Sequence, residues 1–252
     1  MIASSENKHM SETIEILGRR LKLKHLPNGF ITSMDSVLLA AACPIKSGQN
    51  LLDMGCGVGG AGFCVLERIV CDVHLTGFDI QEKQIELAKL NASVNGYDGC
   101  TQFETTDIKD FNNEKAYHHV ICNPPYLEKD GHLRSPYAHK ATAMGHDVDG
   151  GTIGDWIVKA HDVLKSKGTF TLIHRADQID KIIRSMGKRF GSIEIIPLWP
   201  KAGVNAKRVI VRAIKDRRSP TTLHSGIILH DSDGQYTIEA NNILKNAEGL
   251  FL

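Results

Sequence analysis

The sequence predicts an α/β fold built on a seven-stranded sheet that is mostly parallel and ends in an antiparallel hairpin. Short apolar runs alternate with segments of helical periodicity between residues 50 and 190, which is typical of a parallel sheet covered by helices. The last two apolar runs flank residues 199–207, a gap too short for a helical crossover, so they predict an antiparallel pair. A glycine-rich turn follows the first run, where doubly wound sheets bind their ligands.

The individual elements follow from periodicity and from the residues that end each run. Strands are predicted at 50–54, 73–78, 101–105, 118–122, 168–174, 192–198 and 208–214. Helices are predicted at 61–70, 81–95, 153–164 and 177–190. The helix 81–95 has apolar residues at helical spacing until Gly96 ends it, and the helix 177–190 is basic.

Two appendages flank this core, so we divide the chain into residues 1–48, 49–218 and 219–252. The first segment alternates polar and apolar residues from Leu21 into Pro27-Asn28-Gly29, which predicts a hairpin, and a helix follows it. The last segment has Asp233-Gly234 between apolar runs, which predicts a C-terminal hairpin extension.

Composition excludes several classes of protein. The 252 residues include 30 Lys and Arg against 29 Asp and Glu, with 42% hydrophobic and 23% charged residues, which is the mixture of a globular protein. A disordered chain, a collagen-like fibre and a disulfide scaffold are thereby excluded. No apolar run reaches 18 residues and the first ten residues are polar, so we expect neither a transmembrane helix nor a secretory signal.

Cysteines and histidines give no metal signature. None of the six cysteines has C-x-x-C spacing, and the twelve histidines include no H-E-x-x-H motif, so we expect no metal. Several cysteines lie in apolar runs, where a reduced thiol acts as a small apolar side chain. We therefore expect a cytoplasmic protein.

The near-zero net charge conceals a strong asymmetry. Residues 165–218 include 14 Lys and Arg but only 4 Asp and Glu, whereas the rest of the chain has an acidic excess. A local excess of this size indicates either a surface that attracts a polyanion or separate solvated charges that never converge.

The turn after the first strand contains three alternating glycines, Gly55, Gly57 and Gly59, preceded by Asp53. Glycines let a backbone turn sharply and approach a ligand, although dinucleotide-binding enzymes share this feature. A carboxylate at Asp53 would repel a pyrophosphate, but it can accept a proton from the ammonium of an amino-acid moiety, directly or through water. A simple helix-capping role is the alternative.

Two further acidic residues end the next two strands. Asp79 can accept hydrogen bonds from both hydroxyls of a ribose, and Asp107 from an adenine amine, with Ile80 and Ile108 on either side of the ring. Asp110 competes with Asp107 for this position. An amino-acid end, a ribose and an adenine in series make S-adenosylmethionine, which is therefore the predicted cofactor.

The fourth strand runs directly into Asn123-Pro124-Pro125-Tyr126. The Asn123 side-chain oxygen and the Pro124 carbonyl can both accept hydrogen bonds from one amino group, which positions its nitrogen for attack on a methyl group. The two prolines hold those carbonyls rigidly, and Tyr126 offers an aromatic face for a flipped-out base. These four residues are the predicted catalytic group.

The motif D-x-G-x-G-x-G followed by N-P-P-Y resembles the class I, Rossmann-like, S-adenosylmethionine-dependent amino-group methyltransferases over about residues 20 to 240. Within that group the chain most resembles the bacterial tRNA-Val methyltransferases, which act on the 6-amino group of adenine 37. The resemblance also rests on the segments 28–30, 34–40, 174–177 and 207–211 and on the basic residues Arg134, His139 and Lys140.

This resemblance implies tRNA as the partner and assigns further residues. Ser33 and Asp35, in the N-terminal segment, would pack over the cofactor, and residues 123–126 would hold the adenine. The residues that would contact tRNA phosphates are Lys140, Arg175, Lys201, Lys207 and Arg208. The oligomeric state stays open.

Other acceptors remain compatible with N-P-P-Y. Enzymes that methylate a release-factor glutamine or the 2-amino group of a guanine in ribosomal RNA share the motif. The glutamine enzymes usually carry a helical domain before the core, for which about 45 residues leave little room. A non-catalytic RNA-binding scaffold would be expected to have a damaged glycine loop or N-P-P-Y, and a nicotinamide dehydrogenase gives no reason for N-P-P-Y.

Overall fold

The structure is a computed structural model that describes residues 11–27, 32–69, 72–113, 115–125 and 151–250. Its strands are β1 (Glu12–Ile16), β2 (Leu21–His25), β3 (Asn50–Met54), β4 (His74–Asp79), β5 (Thr101–Thr105), β6 (Tyr117–Cys122), β7 (Leu164–Arg175), β8 (Phe190–Trp199), β9 (Arg208–Lys215), β10 (Thr222–Leu223) and β11 (Ile227–Ile228). Its helices are α1 (Met34–Ala42), α2 (Gly60–Arg68), α3 (Glu82–Val94), α4 (Ile153–Val163), α5 (Ile179–Met186) and α6 (Ile238–Asn246).

The main sheet confirms the predicted architecture. Its seven central strands lie in the order β5-β4-β3-β6-β7-β9-β8. The first five of these are parallel to one another, whereas β9 is antiparallel to both β7 and β8. The short strands β10 and β11 pair in parallel with β8 and extend the edge beyond the seven predicted strands.

Helices cover both faces of this sheet because its central strands are apolar on both sides. Successive residues of a strand point to opposite faces. Leu51 therefore packs into the core beneath α1, α2, α3 and α6, while Leu52 packs into the core beneath α4 and α5. Burial on both faces is the usual environment of parallel strands, and it leaves the strand ends as the places where polar side chains gather.

An N-terminal hairpin is present, with a turn that the sequence did not predict. β1 pairs antiparallel with β2 through residues 17–20, where Leu17 and Arg19 both have positive φ. Residues 28–31, which include the predicted Asn28-Gly29 turn, lie outside the described residues. The Asn91 side chain on α3 accepts from the Lys24 amide and donates to the Lys24 carbonyl, which fixes the hairpin against the core.

The C-terminal segment forms less of a hairpin than the sequence predicts. Its antiparallel pairing is a single bridge between His230 and Tyr236, because Ile227–Ile228 pairs with β8 instead. The Thr237 hydroxyl then accepts from the Ala240 amide and begins α6. That helix packs on α1, and the Leu250 amide donates to the Ala41 carbonyl over 2.9 Å. Among the described residues, none of the helices is sufficiently long and apolar to cross a membrane.

Candidate active site

The predicted site residues that follow β3 and β6 or end β4 meet at the carboxyl edge of the sheet. In the register of the parallel strands, Met54 lies opposite both Phe78 on β4 and Cys122 on β6. The next residue on each strand is therefore at the same level, which makes Gly55, Asp79 and Asn123 neighbours along the edge. The chain order reverses around β3, so this is the switch point where open α/β sheets bind ligands.

The glycine loop between β3 and α2 has a left-handed backbone at Gly55, Gly57 and Gly59, with φ of 69°, 53° and 86°. A Cβ atom on Gly59 would lie 2.3 Å from the Phe63 ring, and one on Gly55 would lie 2.9 Å from the Trp156 ring. No described atom lies within 4 Å of a Cβ built on Gly57. The loop is thus tightly packed on its inner side and open at Gly57, which leaves room for a ligand to approach the backbone.

Asp53 is buried behind this loop, and one carboxylate oxygen accepts from the Gly62 amide over 2.9 Å. Burial raises the pKa of Asp53 to about 7, the nearby charge of Asp79 adds to the rise, and the Gly62 hydrogen bond opposes it. The carboxylate therefore ties the end of β3 to the first turn of α2. That Asp53 also interacts with the ammonium group of the cofactor stays a prediction.

Asp79 holds the loop from the neighbouring strand. Its carboxylate accepts from the Gly57 amide over 3.0 Å and from the Gln81 amide over 2.9 Å. Burial raises the pKa of this carboxyl, and the same backbone hydrogen bonds act in the opposite direction. Each carboxylate oxygen has two lone pairs, so these bonds orient Asp79 without using its full capacity to accept hydrogen bonds from a ribose.

The residues predicted to hold the adenine ring differ in exposure. Ile80 is 43% exposed, whereas Ile108 is only 6% exposed and packs into the core beneath α4. The Asp107 carboxylate accepts from the Lys109 amide over 2.8 Å and so stabilises the turn after β5. The Thr106 amide donates to the Asp79 carbonyl, which brings this turn beside Asp79.

The N-P-P-Y motif begins at the end of β6. Asn123 is half-buried, Pro124 is buried and Pro125 is exposed. Tyr126 and Lys140 lie outside the described residues. The register places Asn123 beside Gly55, so the side-chain amide and the open space at Gly57 share one edge of the sheet.

Four of the cationic residues assigned to RNA lie farther along the same edge, past β7. Arg175 lies opposite Arg208, and Lys207 and Lys201 belong to the connection between β8 and β9. Both lysines are exposed, but Arg175 forms a two-bond ion pair with Asp177, and Arg208 pairs with Asp35. The two arginines therefore have carboxylate partners within the protein.

The other assigned residue of the N-terminal segment, Ser33, is exposed and immediately precedes α1, with no side-chain capping bond. Asp35, in the first turn of α1, contacts β9, because its carboxylate accepts a hydrogen bond from the Arg208 guanidinium.

The basic excess of residues 165–218 does not form one surface. Lys165, Lys167, Lys188, Arg189, Arg217 and Arg218 lie at the opposite end of the sheet, around the start of β7, the start of β8 and the end of β9. A count of charges along the sequence could not show that the basic residues lie at two ends of the sheet. Residues that are close in sequence can lie at opposite ends, because each strand carries the chain from one end of the sheet to the other.

The sequence did not identify Trp156, whose ring lies beneath the glycine loop at Gly55. Its helix α4 begins with a capping box between Thr152 and Asp155, a recognisable signal for a helix start but not for what the helix contacts. Among the described residues, no three histidine, cysteine or acidic side chains lie close enough together to hold a metal ion.

Comparison with known proteins decides the family. A family model described as the methyltransferase small domain matches residues 32–198. The chain belongs to this family. It is 22% identical over 204 residues to a tRNA1(Val) (adenine(37)-N6)-methyltransferase of Actinobacillus pleuropneumoniae, covering 81% of this chain and 84% of the relative. It is 25% identical over 215 residues to the protein of the same name in Shewanella baltica, covering 83% and 88%.

Solved structures agree with the fold of this methyltransferase. A predicted O-methyltransferase of Agrobacterium tumefaciens superposes with a TM-score of 0.71 at 25% identity, over 86% of this chain and 98% of the other. The chain is an S-adenosylmethionine-dependent methyltransferase with the class I, Rossmann-like fold, as the resemblance implied.

The residues at the sheet edge fit the cofactor. The open space at Gly57 admits a ligand against the loop backbone, and Asp79 presents an oriented carboxylate at the position suited to a ribose. Asp53, when ionised, would supply negative charge on the loop side, where the amino-acid end would lie. When bound there, S-adenosylmethionine supplies an electrophilic methyl group on a positively charged sulfur.

Proposed function

We propose that this methyltransferase methylates the exocyclic 6-amino group of an adenine in tRNA. The observation that carries the proposal is the position of Asn123, which follows β6 at the level where Gly55 follows β3. A group held by Asn123 and Pro124 is thereby next to the loop that would hold the methyl donor. Holding the two reacting atoms close together and correctly oriented is the main way in which an enzyme of this kind lowers the activation barrier.

The two hydrogen-bond acceptors of the N-P-P-Y motif favour an amino group as the substrate. An amino group has two N–H donors, which match the Asn123 side-chain oxygen and the Pro124 carbonyl, whereas a hydroxyl has one. Those two bonds orient the nitrogen lone pair toward the methyl carbon. The N–C bond then forms as the S–C bond breaks, with its electron pair staying on sulfur, and the nitrogen afterwards loses one proton to solvent.

The edge beyond β7 supports a nucleic acid as the carrier of that amino group. Lys201 and Lys207 are exposed there, and Arg175 and Arg208 lie beside them. Phosphates are bound by such cations without regard to sequence, and an unstacked base is then read in a pocket. The names of the relatives support adenine 37 of a tRNA-Val as the specific target.

The competing acceptors differ in the macromolecule that carries them. A guanine 2-amino group in ribosomal RNA and a release-factor glutamine both offer an N–H₂ group and suit the same two acceptors. A hydroxyl, the kind of acceptor that an O-methyltransferase such as the Agrobacterium tumefaciens protein is named for, offers only one donor. A scaffold without catalysis would bind the cofactor and RNA but transfer nothing.

The proposal is tested by a tritium-transfer assay with labelled S-adenosylmethionine. Purified protein would be mixed in parallel with total tRNA, ribosomal RNA and a release factor, and the labelled product would be identified by nucleoside or peptide analysis. The Asn123→Ala variant serves as the matched control, because it removes one acceptor and leaves the loop and the basic edge in place.

Label in tRNA as 6-methyladenosine, lost in the variant, is the expected result. Label in ribosomal RNA guanine or in a glutamine would keep the methyltransferase and refute the tRNA substrate. A protein that binds the cofactor but labels none of the three would refute catalysis on these substrates and favour the scaffold.

A further inference from the structure

A groove with a cavity volume of about 720 Å³ lies beyond the end of β8, outside the site described above. This volume is within the range of pockets that bind small organic molecules. The connection between β8 and β9, the β10–β11 segment and the first turn of α6 line it, and it is open to solvent. Its lining includes Trp199, Lys201, Val204, Asn205, Ile228 and Glu239.

One side of this groove is apolar. More than half of the exposed large apolar side chains in the described part of the chain lie between residues 204 and 238, namely Val204, Leu223, Ile228, Tyr236 and Ile238. Of these, Val204 and Ile228 line the groove beside Trp199. These two side chains and the Trp199 ring give the groove an apolar side on which a planar ligand can pack.

Trp199 is held in a fixed orientation. Its indole N–H donates to the Ser225 carbonyl over 2.9 Å. The chain passes so close that a Cβ atom on Gly226 would lie 2.2 Å from the Pro197 carbonyl oxygen and 2.8 Å from the Trp199 indole nitrogen. A ring fixed in this way can stack on a planar ligand without a further entropic cost for its own ordering.

Polar side chains lie around the apolar side of the groove. Lys201 and Asn205 come from the connection between β8 and β9, and Glu239 from the first turn of α6. A single cation, an amide and a carboxylate can satisfy the mixed donors and acceptors of a base edge together with one phosphate. The groove is less suited to a phosphate alone, because Glu239 would repel it.

We propose that this groove binds an unpaired nucleobase of the substrate RNA, stacked on Trp199, with Lys201 at the adjacent phosphate. The proposal rests on the proposed function, in which an RNA carries the target adenine. Aromatic side chains that stack on unpaired bases beside a cationic track are the general means by which proteins bind single-stranded nucleic acid.

The position of the groove suits a nucleotide near the target. β6, β7, β9 and β8 are successive neighbours, so the ends of β6 and β8 are three strand spacings apart, which is about 14 Å. Arg175, Lys207 and Arg208 occupy the edge between them. An RNA chain whose target base lies at Asn123 would pass over these cations before reaching Trp199.

This charge pattern favours RNA over the other occupants of an apolar groove. A second copy of the chain would present an acidic surface only if its residues outside 165–218 faced this edge. A peptide would pack on Val204 and Ile228 but offers no phosphates to the exposed Lys201 and Lys207.

The first test uses the fluorescence of the two tryptophans. Trp156 is buried, while Trp199 lines the groove, so a stacked base should quench Trp199 selectively. We expect a short single-stranded RNA oligonucleotide to quench the emission of the unmodified protein and to lose most of this effect on Trp199→Phe, which keeps an aromatic ring. An oligonucleotide that quenches both proteins equally would overturn the proposal.

The second test separates binding from chemistry. With tRNA as substrate, Trp199→Ala should raise KM about tenfold with little change in kcat, because it removes the stacking of one base. Trp199→Phe keeps an aromatic ring and should restore most of the loss. Cofactor affinity should stay unchanged, since the groove is remote from the glycine loop.

A second pair of variants guards against misfolding of the tryptophan mutants. Val204→Asp places a negative charge at the exposed groove rim and should raise KM for tRNA, whereas Val158→Asp, on the exposed face of α4, should not. Transfer to tRNA with unaltered KM in both Trp199→Ala and Val204→Asp would refute the groove and leave the proposed function intact. Failure of the unmodified protein to label any RNA would instead refute the proposed function. In the fluorescence test, quenching by a release-factor peptide but not by the oligonucleotide would refute both the proposed function and the binding of RNA in the groove.

Discussion

Arg208 donates its Nε–H to the Asp35 carboxylate over 3.0 Å, across 173 positions of sequence. From the sequence alone these residues have different expected roles, Asp35 over the cofactor and Arg208 on tRNA phosphates. Their ion pair instead joins the first turn of α1 to the start of β9. Since the pair links the N-terminal segment to the basic edge, the two ligands of the enzyme would contact adjoining parts of one structure.

The ion pair predicts that the basic residues contribute unequally to RNA binding. Lys207→Ala should lower the slope of log affinity against log salt by about one, because an exposed lysine releases about one counterion from a phosphate. Arg208→Ala should change the slope less, because Asp35 already compensates its charge. Filter binding of tRNA at several salt concentrations measures both slopes.

Lys167 provides the control for this comparison, because it is exposed at the opposite end of the sheet. Lys167→Ala should leave affinity and slope unchanged. Equal slopes for Lys207→Ala and Arg208→Ala would show that the ion pair opens when RNA binds.

Asn123→Ala should abolish methyl transfer while leaving cofactor binding nearly intact. The side-chain oxygen is expected to contact the substrate amino group, and loss of one such positioning donor or acceptor costs about a hundredfold or more in rate. Steady-state transfer measures the rate, and calorimetric titration with S-adenosylmethionine measures binding. A loss of cofactor affinity as large as the loss of rate would mean that Asn123 is structural.

The elevated pKa of Asp53, about 7, makes stability depend on pH. Between the unfolded value of 3.8 and about 7, the folded protein holds a proton that the unfolded chain has lost. The free energy of unfolding should therefore fall as the pH rises through this interval and level off above it. Asp53→Asn should remove this component, which urea denaturation of the cofactor-free protein at several pH values would detect.

The same titration should act on the cofactor in the opposite direction. An ammonium group is bound better by ionised Asp53, so affinity for S-adenosylmethionine should rise as the pH rises toward about 7 in the unmodified protein and change less in Asp53→Asn. Parallel pH profiles for the two proteins would contradict a role of Asp53 at the amino-acid end.

Gly59 should tolerate substitution less well than another glycine of the same backbone conformation. Gly59→Ala combines a φ of 86° with a Cβ position 2.3 Å from the Phe63 ring, so the ring or the loop must move. Gly48→Ala has a φ of 75° and no described atom within 4 Å, so it should cost only the strain of a left-handed alanine, about 1 kcal/mol. Urea denaturation measures both free energies, and equal losses would contradict a packing role for Gly59.

The sequence could predict the sheet because the information is local. Each central strand is a short apolar run, and the two last runs are so close that only an antiparallel connection is possible, so β3 and β5 were located to the residue. The N-terminal turn was missed because Leu17 and Arg19 adopt positive φ, which their side chains disfavour, while Asn28-Gly29 is a conventional turn signal.

The site could be located from sequence but its internal pairings could not. The register that brings Gly55, Asp79 and Asn123 together follows from strands that end at equivalent positions. The pairing of Arg208 with Asp35 depends on the packing of α1 beside β9, which no periodicity encodes. The groove at Trp199 could not be predicted from the sequence either. It is lined by α6 and the β10–β11 segment, which belong to a region predicted as a simple hairpin.

The packing of α6 on α1 has a consequence for the order of folding. Ala240 and Ile243 share one core with Leu17 and Leu38, and the Leu250 amide bonds to the Ala41 carbonyl. The earliest hairpin and the first helix are therefore completed by residues made more than 200 positions later. A chain that lacks α6 leaves this apolar surface open to water, and exposed apolar surface of this kind promotes aggregation.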